Sequence, residues 1–344
     1  MSSVVTMRDV AERAGVSTQT VSNVVSGGAR VRPETEARVR AAIAELGYVP
    51  NLVARSLSTG STMMVGLFVP TTDDWFYSNI IAEVEDALQQ AGYHLLLCTT
   101  RLDGERARRQ LAGLTSRSVD ALLIAGDRDL LDHLPLLADA RFPVALCAWE
   151  TDAPDAFPVI TLDYEQAGYL AGRHLRELGH ERVAVLASPA HTRRLDGFRR
   201  AFAKDGLKVP DSAVFFVTEP SIDAAFAAAN AALAGDPGLT AVFATYDLLV
   251  HGVMDALQVS GRSIPGDVSV VGQDGVPKVS RSHPALTTVA LPRREMARQA
   301  VEVLLRAVAS GVTPTNFIAM LRPTLVVRDS SGPAPVLARD HAEG

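Results

Sequence analysis

The chain has 344 residues, 47% hydrophobic and 21% charged, with a formal net charge of −6. That length predicts two or three folded units of ordinary globular composition. No apolar run reaches the ~18 residues a membrane helix needs, and the opening MSSVVTMRDVAERAG lacks the basic-then-apolar pattern of a secretory signal, so the cytoplasm is the expected location.

The first sixty residues hold seven arginines against five acidic side chains, a net of +2, which leaves −8 on the remaining 284. A mildly basic end on an acidic body suits DNA contact confined to that end. MRDVAERA (7–14) predicts a short helix with Val10, Ala11 and Ala14 inward, and Gly15 supplies the sharp turn after it. Ser17 is a good N-cap for a second helix, TQTVSNVV. Ala11, Gly15 and Val21 have helix-turn-helix spacing: a small residue, a turn glycine, then a packing residue. A third helix runs from Pro33 to Leu46, with proline at its start and Gly47 after its end. On the second helix Thr18, Gln19, Ser22 and Asn23 fall off the core face. Glutamine and asparagine can bond adenine bidentately in the major groove, and threonine can offer a methyl to thymine. The helical pattern alone does not separate that role from ordinary solvation.

Residues 50–62 read as a polar connector. The stretch 63–329 then alternates apolar strand-like runs with amphipathic helices. The runs are MVGLFV (64–69), HLLLCT (94–99), ALLIAG (121–126), PVALC (143–147), RVAVLAS (182–188), TAVFAT (240–245) and DVSVVG (267–272). Continuous apolar strands of this kind belong to parallel sheets covered on both faces. About ten strands are expected, which favours two doubly wound subdomains with a ligand cleft between them. Residues 330–344 read as a frayed tail with no leucine heptad. Cys98 and Cys147 lie within two of the strand runs and read as reduced core thiols. No metal-spaced cluster, phosphate loop, dinucleotide fingerprint or nucleophile elbow occurs, so neither a cofactor nor an enzymatic activity is expected.

The opening sixty residues carry T-x-x-D-V-A-x-x-A-G-V-S-x-x-T-V-S-x-V, then E-L-G-Y-x-P-N-x-x-A-R-S-L. In these the chain closely resembles the LacI/GalR family of bacterial repressors. VGLFVP (65–70), LGHERVAVL (178–186), RLDGFRRAF (194–202), DVSVVGQD (267–274) and PALTTVALP (284–292) extend the resemblance through the body. The resemblance implies a small all-α helix-turn-helix head (1–49) and a hinge helix and linker (50–62). It also implies an α/β body (63–329) of two Rossmann-like subdomains, like the periplasmic sugar-binding proteins. Lobe 1 would comprise about 63–161 plus 292–321, and lobe 2 about 162–291 plus 322–329.

Carried over by position, Thr18, Gln19 and Asn23 would face bases, and Thr6, Ser17, Thr20, Ser22, Tyr48 and Asn51 would contact phosphates. Asn51–Ser58, including Ala54, would form the hinge helix, with Leu57 as an apolar wedge in a minor-groove step. The same resemblance puts Arg194 in the effector cleft, and Asp274 follows the strand run VSVVG, at the C-terminal end of a parallel strand, where ligand groups are expected. Chemically, a guanidinium fork suits paired oxygens and a carboxylate grips hydroxyls or ring N–H groups. The chain departs from the family at Trp75, Phe76, Trp149, Tyr246 and Arg293. The four aromatics among them could stack on a sugar ring or a planar base. The expected partners are an operator duplex, a second copy of the chain, and an effector, most simply a sugar that releases repression. The alternatives are a nucleobase or other metabolite acting as co-repressor, or a solute-binding role.

Overall fold

A computed structural model describes residues 5–26, 31–49, 60–114, 118–126, 131–137, 140–152, 154–218, 221–277 and 283–336. The chain divides after Met63 into two compact units.

Among the described residues, the first unit holds three helices, α1 (Met7–Ala14), α2 (Thr18–Ser26) and α3 (Pro33–Leu46). Helix α1 begins where it does because Thr6 and Asp9 form a capping box. The Asp9 N–H donates to Thr6 Oγ1 at 3.4 Å, and the Thr6 N–H donates to the Asp9 carboxylate at 2.7 Å. Gly15 ends α1 and Gly47 ends α3, at φ of +65° and +64°, a conformation that a β-carbon disfavours. Val10, Ala11, Ala14, Val21, Val39, Ala42 and Tyr48 form the core, with Ile43 and Leu46 half-buried at its edge.

Among the described residues, the second unit holds twelve strands in two six-stranded sheets. The first sheet runs β11-β5-β4-β3-β1-β2, all parallel, from β1 (Met64–Val69), β2 (His94–Thr99), β3 (Ala121–Ala125), β4 (Val144–Cys147), β5 (Val159–Leu162) and β11 (Ile318–Leu321). Helices α4 (Trp75–Gln90) and α5 (Gly104–Leu114) belong to it. The second sheet runs β12-β10-β9-β8-β6-β7, from β6 (Val183–Ala187), β7 (Val214–Phe216), β8 (Ala241–Ala244), β9 (Ser269–Asp274), β10 (Thr287–Ala290) and β12 (Thr324–Val326). Only β12 is antiparallel. It carries α6 (Tyr164–Glu177), α7 (Thr192–Ala203), α8 (Ile222–Gly235) and α9 (Asp247–Val259), while α10 (Arg293–Ser310) returns to pack on α4 and the first sheet.

The chain thus passes between the lobes three times: from β5 to α6, from β10 to α10, and from β11 to β12. In each sheet the order reverses beside the first strand, at β1/β3 and at β6/β8. Loops at the C-terminal ends of strands next to such a reversal are where open α/β sheets bind ligands.

One expectation is corrected. Residues 330–334 are not frayed. The Ser330 hydroxyl is fully buried, donates to the Val270 carbonyl at 2.6 Å and accepts the Thr287 N–H at 2.8 Å. The Gly332 carbonyl accepts from His180 Nε2 at 3.0 Å, and the Ala334 N–H donates to the Leu178 carbonyl at 2.8 Å. The polar composition that suggested fraying instead satisfies backbone groups along the second sheet. Residues 337–344 lie outside the described residues.

Candidate functional site

The head places its polar residues where the helix-turn-helix pattern predicts. Thr18 and Gln19 are exposed, Ser22 and Asn23 half-buried, and all four stand away from Val21, which is fully buried. Gln19 Nε2 donates to Asn23 Oδ1 at 3.2 Å, so the two amides one turn apart are already aligned. The turn into α2 is set by Ser17, whose Oγ accepts the Thr20 N–H at 3.1 Å and lies 2.9 Å from the Thr20 hydroxyl. Thr6 is exposed at the α1 N-terminus with its hydroxyl on Asp9. The Tyr48 ring is part of the head core, which fixes the direction of its hydroxyl. Asn51, Ala54 and Leu57 lie outside the described residues.

In the body, one cleft between the lobes gathers Asp74, Phe76, Tyr77, Ala148 and Glu150 from the first lobe. From the second come Tyr164, Ala190, His191, Arg194, Tyr246 and Asp274. Every contribution sits just past a strand or at a helix start. Asp74 caps α4, its carboxylate accepting the Phe76 N–H at 2.8 Å. His191 precedes α7, with Nδ1 at 2.9 Å from the Thr245 hydroxyl and its ring edge-on to Tyr246 at 5.1 Å. Ala148 and Asp274 adopt positive φ, +50° and +122°, at the ends of β4 and β9. Such strain in residues with a side chain concentrates at ligand sites.

Arg194 is the centre of the cleft. It is 5% exposed in the first turn of α7. Nε donates to Glu150 Oε2 at 3.0 Å, and Nη1 donates to the Thr245 carbonyl at 2.6 Å and to Asp274 Oδ1 at 3.4 Å. The guanidinium lies 4.6 Å from the Tyr164 ring centre, a cation–π contact. Burial works against its charge, but the carboxylates of Glu150 and Asp274 outweigh burial and keep it firmly protonated. Burial also raises the Asp274 carboxyl well above the usual range, opposed by Arg194 and reinforced by Asp247.

Arg194 is held in register by its helix. A β-carbon at Gly168 of α6 would stand 1.8 Å from the Arg194 carbonyl, and one at Gly197 would stand 1.8 Å from that of Glu165. The two helices cross closely because both positions are glycine.

Of the seven sequence-predicted effector residues, Phe76, Arg194, Tyr246 and Asp274 line this cleft. The other three do not. Trp149 is buried in the first-lobe core against Phe68, Leu146 and their neighbours, because Ala148 turns the chain and sends the next side chain inward. Trp75 packs on the second-lobe cluster and edge-on to His251 at 5.3 Å. Arg293 uses Nη1 on the Asp274 carbonyl and Nη2 on the Gly275 carbonyl, clamping the end of β9 instead of facing the cavity. The sequence reading did not place Asp74, Tyr77, Glu150, Tyr164 or His191 among the effector residues. Glu150 stands just past the C-terminal end of a parallel strand, the position that singled out Asp274, and that signal could have found it.

Gln273 is fully buried beside Asp274, and among the described residues neither amide atom has a hydrogen-bond partner. No described helix is long and apolar enough to cross a membrane.

A helix-turn-helix head followed by a two-lobed body with a polar interlobe cleft defines a ligand-controlled DNA-binding regulator. The comparisons agree. A family model described as bacterial regulatory proteins, lacI family, matches residues 6–51, and one described as periplasmic binding proteins and sugar binding domain of LacI family matches 62–323. The HTH-type transcriptional repressor PurR of Photobacterium profundum is 32% identical over 335 residues, covering 94% of this chain and 98% of that one. That of Vibrio cholerae serotype O1 is 34% identical over 333 residues, covering 94% and 97%. Among solved structures, the lac repressor dimer bound to operator and the anti-inducer ONPF is similar at a TM-score of 0.81 and 28% identity, covering 95% of this chain and 99% of that one. A transcriptional regulator CelR–cellobiose complex is similar at 0.72 and 31%, covering 95% and 100%. The chain belongs to the LacI family and is a DNA-binding transcriptional repressor rather than an enzyme.

Proposed function

We propose that the protein acts as a homodimer on a pseudo-palindromic operator, and that a small molecule bound around Arg194 and Asp274 sets its operator affinity. The observation that carries this is the ion-paired Arg194. It is a second-lobe cation whose partners come from both lobes, so a ligand that rearranges its bonds acts on the lobe closure itself. A ligand shifts such an equilibrium only by its differential affinity for the two arrangements.

On the DNA side, Thr18, Gln19 and Asn23 read bases. Thr6, Ser17, Thr20, Ser22, Tyr48 and Asn51 hold phosphates, and the 50–62 connector, with Ala54 and Leu57, enters the minor groove. The effector is a sugar or sugar derivative that releases the operator. Aromatic side chains at Phe76, Tyr77, Tyr164 and Tyr246 supply the faces, and carboxylates at Asp74, Glu150 and Asp274 supply acceptors for hydroxyl donors. A second reading, a purine acting as co-repressor, is favoured by the relatives' designation as PurR and by the same aromatic walls.

The test is selection of binding sites from a random duplex pool, followed by anisotropy titration of the selected duplex with sugars and nucleobases. Enrichment of a two-fold site is expected, with an effector-dependent shift in affinity that Arg194→Ala removes while operator binding remains. A shift that survives Arg194→Ala removes Arg194 from the effector site.

A further inference from the structure

The cleft contains more anionic than cationic side chains. Asp74, Glu150 and Asp274 line it against the single guanidinium of Arg194. That guanidinium is largely committed. Its Nε edge faces Glu150, Nη1 is shared by the Thr245 carbonyl and Asp274, and Tyr164 lies 4.6 Å from its centre. Among the described residues only Nη2 has no hydrogen-bond partner. A phosphate or carboxylate binds a guanidinium best through two parallel N–H donors on one edge. Here the Nε donor of one edge is taken by the chain's own carboxylate and Nη1 of the other is shared, so neither edge offers an external anion two free donors.

Glu150 is not a loose surface group. It and Arg194 are each no more than 7% exposed at the side chain. Its position is fixed by the buried Trp149 before it, whose carbonyl accepts the Thr161 hydroxyl, and by the positive φ of Ala148. Displacing Glu150 with an external anion would strand a buried carboxylate in a cleft already lined by Asp74 and Asp274, an arrangement that disfavours the displacing ligand.

We propose that Glu150 is a specificity-determining residue of the effector cleft: seated on Arg194 from the opposite lobe, it takes the place of an anionic ligand and restricts the effector to uncharged or cationic molecules. Such a ligand reaches Nη2 with a hydroxyl or carbonyl oxygen and offers O–H or N–H donors to the three carboxylates. Phosphorylated sugars, nucleotides and carboxylic acids are rejected. This inference rests on the cleft being the effector site and specifies its ligand class.

The test uses the full chain and inorganic phosphate as the probe, with ionic strength held constant by sodium chloride, reading the melting temperature. The native protein is expected to show no saturable response. Glu150→Gln keeps the side-chain shape but removes the charge. It is expected to melt higher as phosphate is added, with an apparent affinity about tenfold or more tighter than any native response. The double variant Glu150→Gln/Arg194→Gln is expected to lose that response. Glu150→Ala serves as the second variant should the glutamine form fail to fold. In parallel, ribose 5-phosphate is titrated against the native protein, with no stabilisation expected. A saturable phosphate or ribose 5-phosphate response in the native protein that Arg194→Gln abolishes would overturn the proposal, as would folded Glu150 variants that stay unresponsive. Failure of the effector-site reading shows elsewhere, as an operator response that survives Arg194→Ala.

Discussion

The head and the body solve the problem of presenting polar chemistry in opposite ways. In the head, the polar residues sit on the outside of one nine-residue helix over a core of seven buried residues. Their bonds are local, as between Gln19 and Asn23. In the body, the charges are buried and mutually dependent. Arg194, Glu150 and Asp274 come from three distant segments and none is stable there alone. An exposed polar helix face can therefore change one residue at a time, whereas a buried cluster changes only as a group.

That contrast extends to protonation, where the largest effect is expected. In the body, burial raises the Asp247 carboxyl to about 7, against the hydrogen bonds it accepts from the Val276 N–H at 2.8 Å and the Thr288 hydroxyl at 2.9 Å. The folded body then holds a proton that the unfolded chain has released above its ordinary value near 4. Its contribution to stability falls as pH rises from about 4 through about 7. In the head, hydrogen bonds from Thr6 lower the Asp9 carboxyl, so the stability it contributes is present above the ordinary value and lost as pH falls through the lowered one. Differential scanning calorimetry across pH 3–8, with Asp247→Asn to remove the body's titration and Asp9→Asn the head's, checks both signs. If Asp247→Asn leaves the slope of the body transition unchanged, the buried acid is not its source.

A smaller effect is expected at the helix crossing that positions the cleft. Gly168→Ala puts a β-carbon 1.8 Å from the Arg194 carbonyl, so α7 must move. Overpacking of this kind costs about 1–3 kcal/mol, and the body's denaturant midpoint should fall accordingly. An unchanged midpoint would mean that the crossing is slack. Smaller again, Thr6→Ala removes half of the capping box and should destabilise the head by about 1 kcal/mol while leaving the body transition in place. Loss of stability in both transitions would show that the two units are energetically coupled.

Much of the fold was legible because it is written in local patterns. The head's helices follow from Gly15, Ser17, Pro33 and Gly47, and seven apolar runs became strands within two residues of their expected bounds. Strands of three or four residues, such as β7, β11 and β12, carry too few positions for their periodicity to show. Exposed Ile318 and Met320 on β11 further confuse hydrophobicity with burial. The site was legible only in part. Arg194 and Asp274 were expected at the cleft and do line it, but the partner of Arg194 was not expected, because a glutamate 44 residues earlier carries no local mark of the arginine it meets. The tryptophans misled for the complementary reason. A rare aromatic near a cleft attracts attention, yet its large apolar surface is more readily buried in a core, as Trp149 shows.

The triple passage of the chain between the two sheets has a consequence for how the protein is made. The first sheet is missing an edge strand until residue 321 has been synthesised, and the second until residue 326, so no fragment ending before the last tenth of the message closes either one. A ribosome carrying three hundred residues therefore displays two unfinished sheet margins at once. Neither lobe can be excised as one continuous piece of gene, and a premature stop anywhere in the body yields no working half.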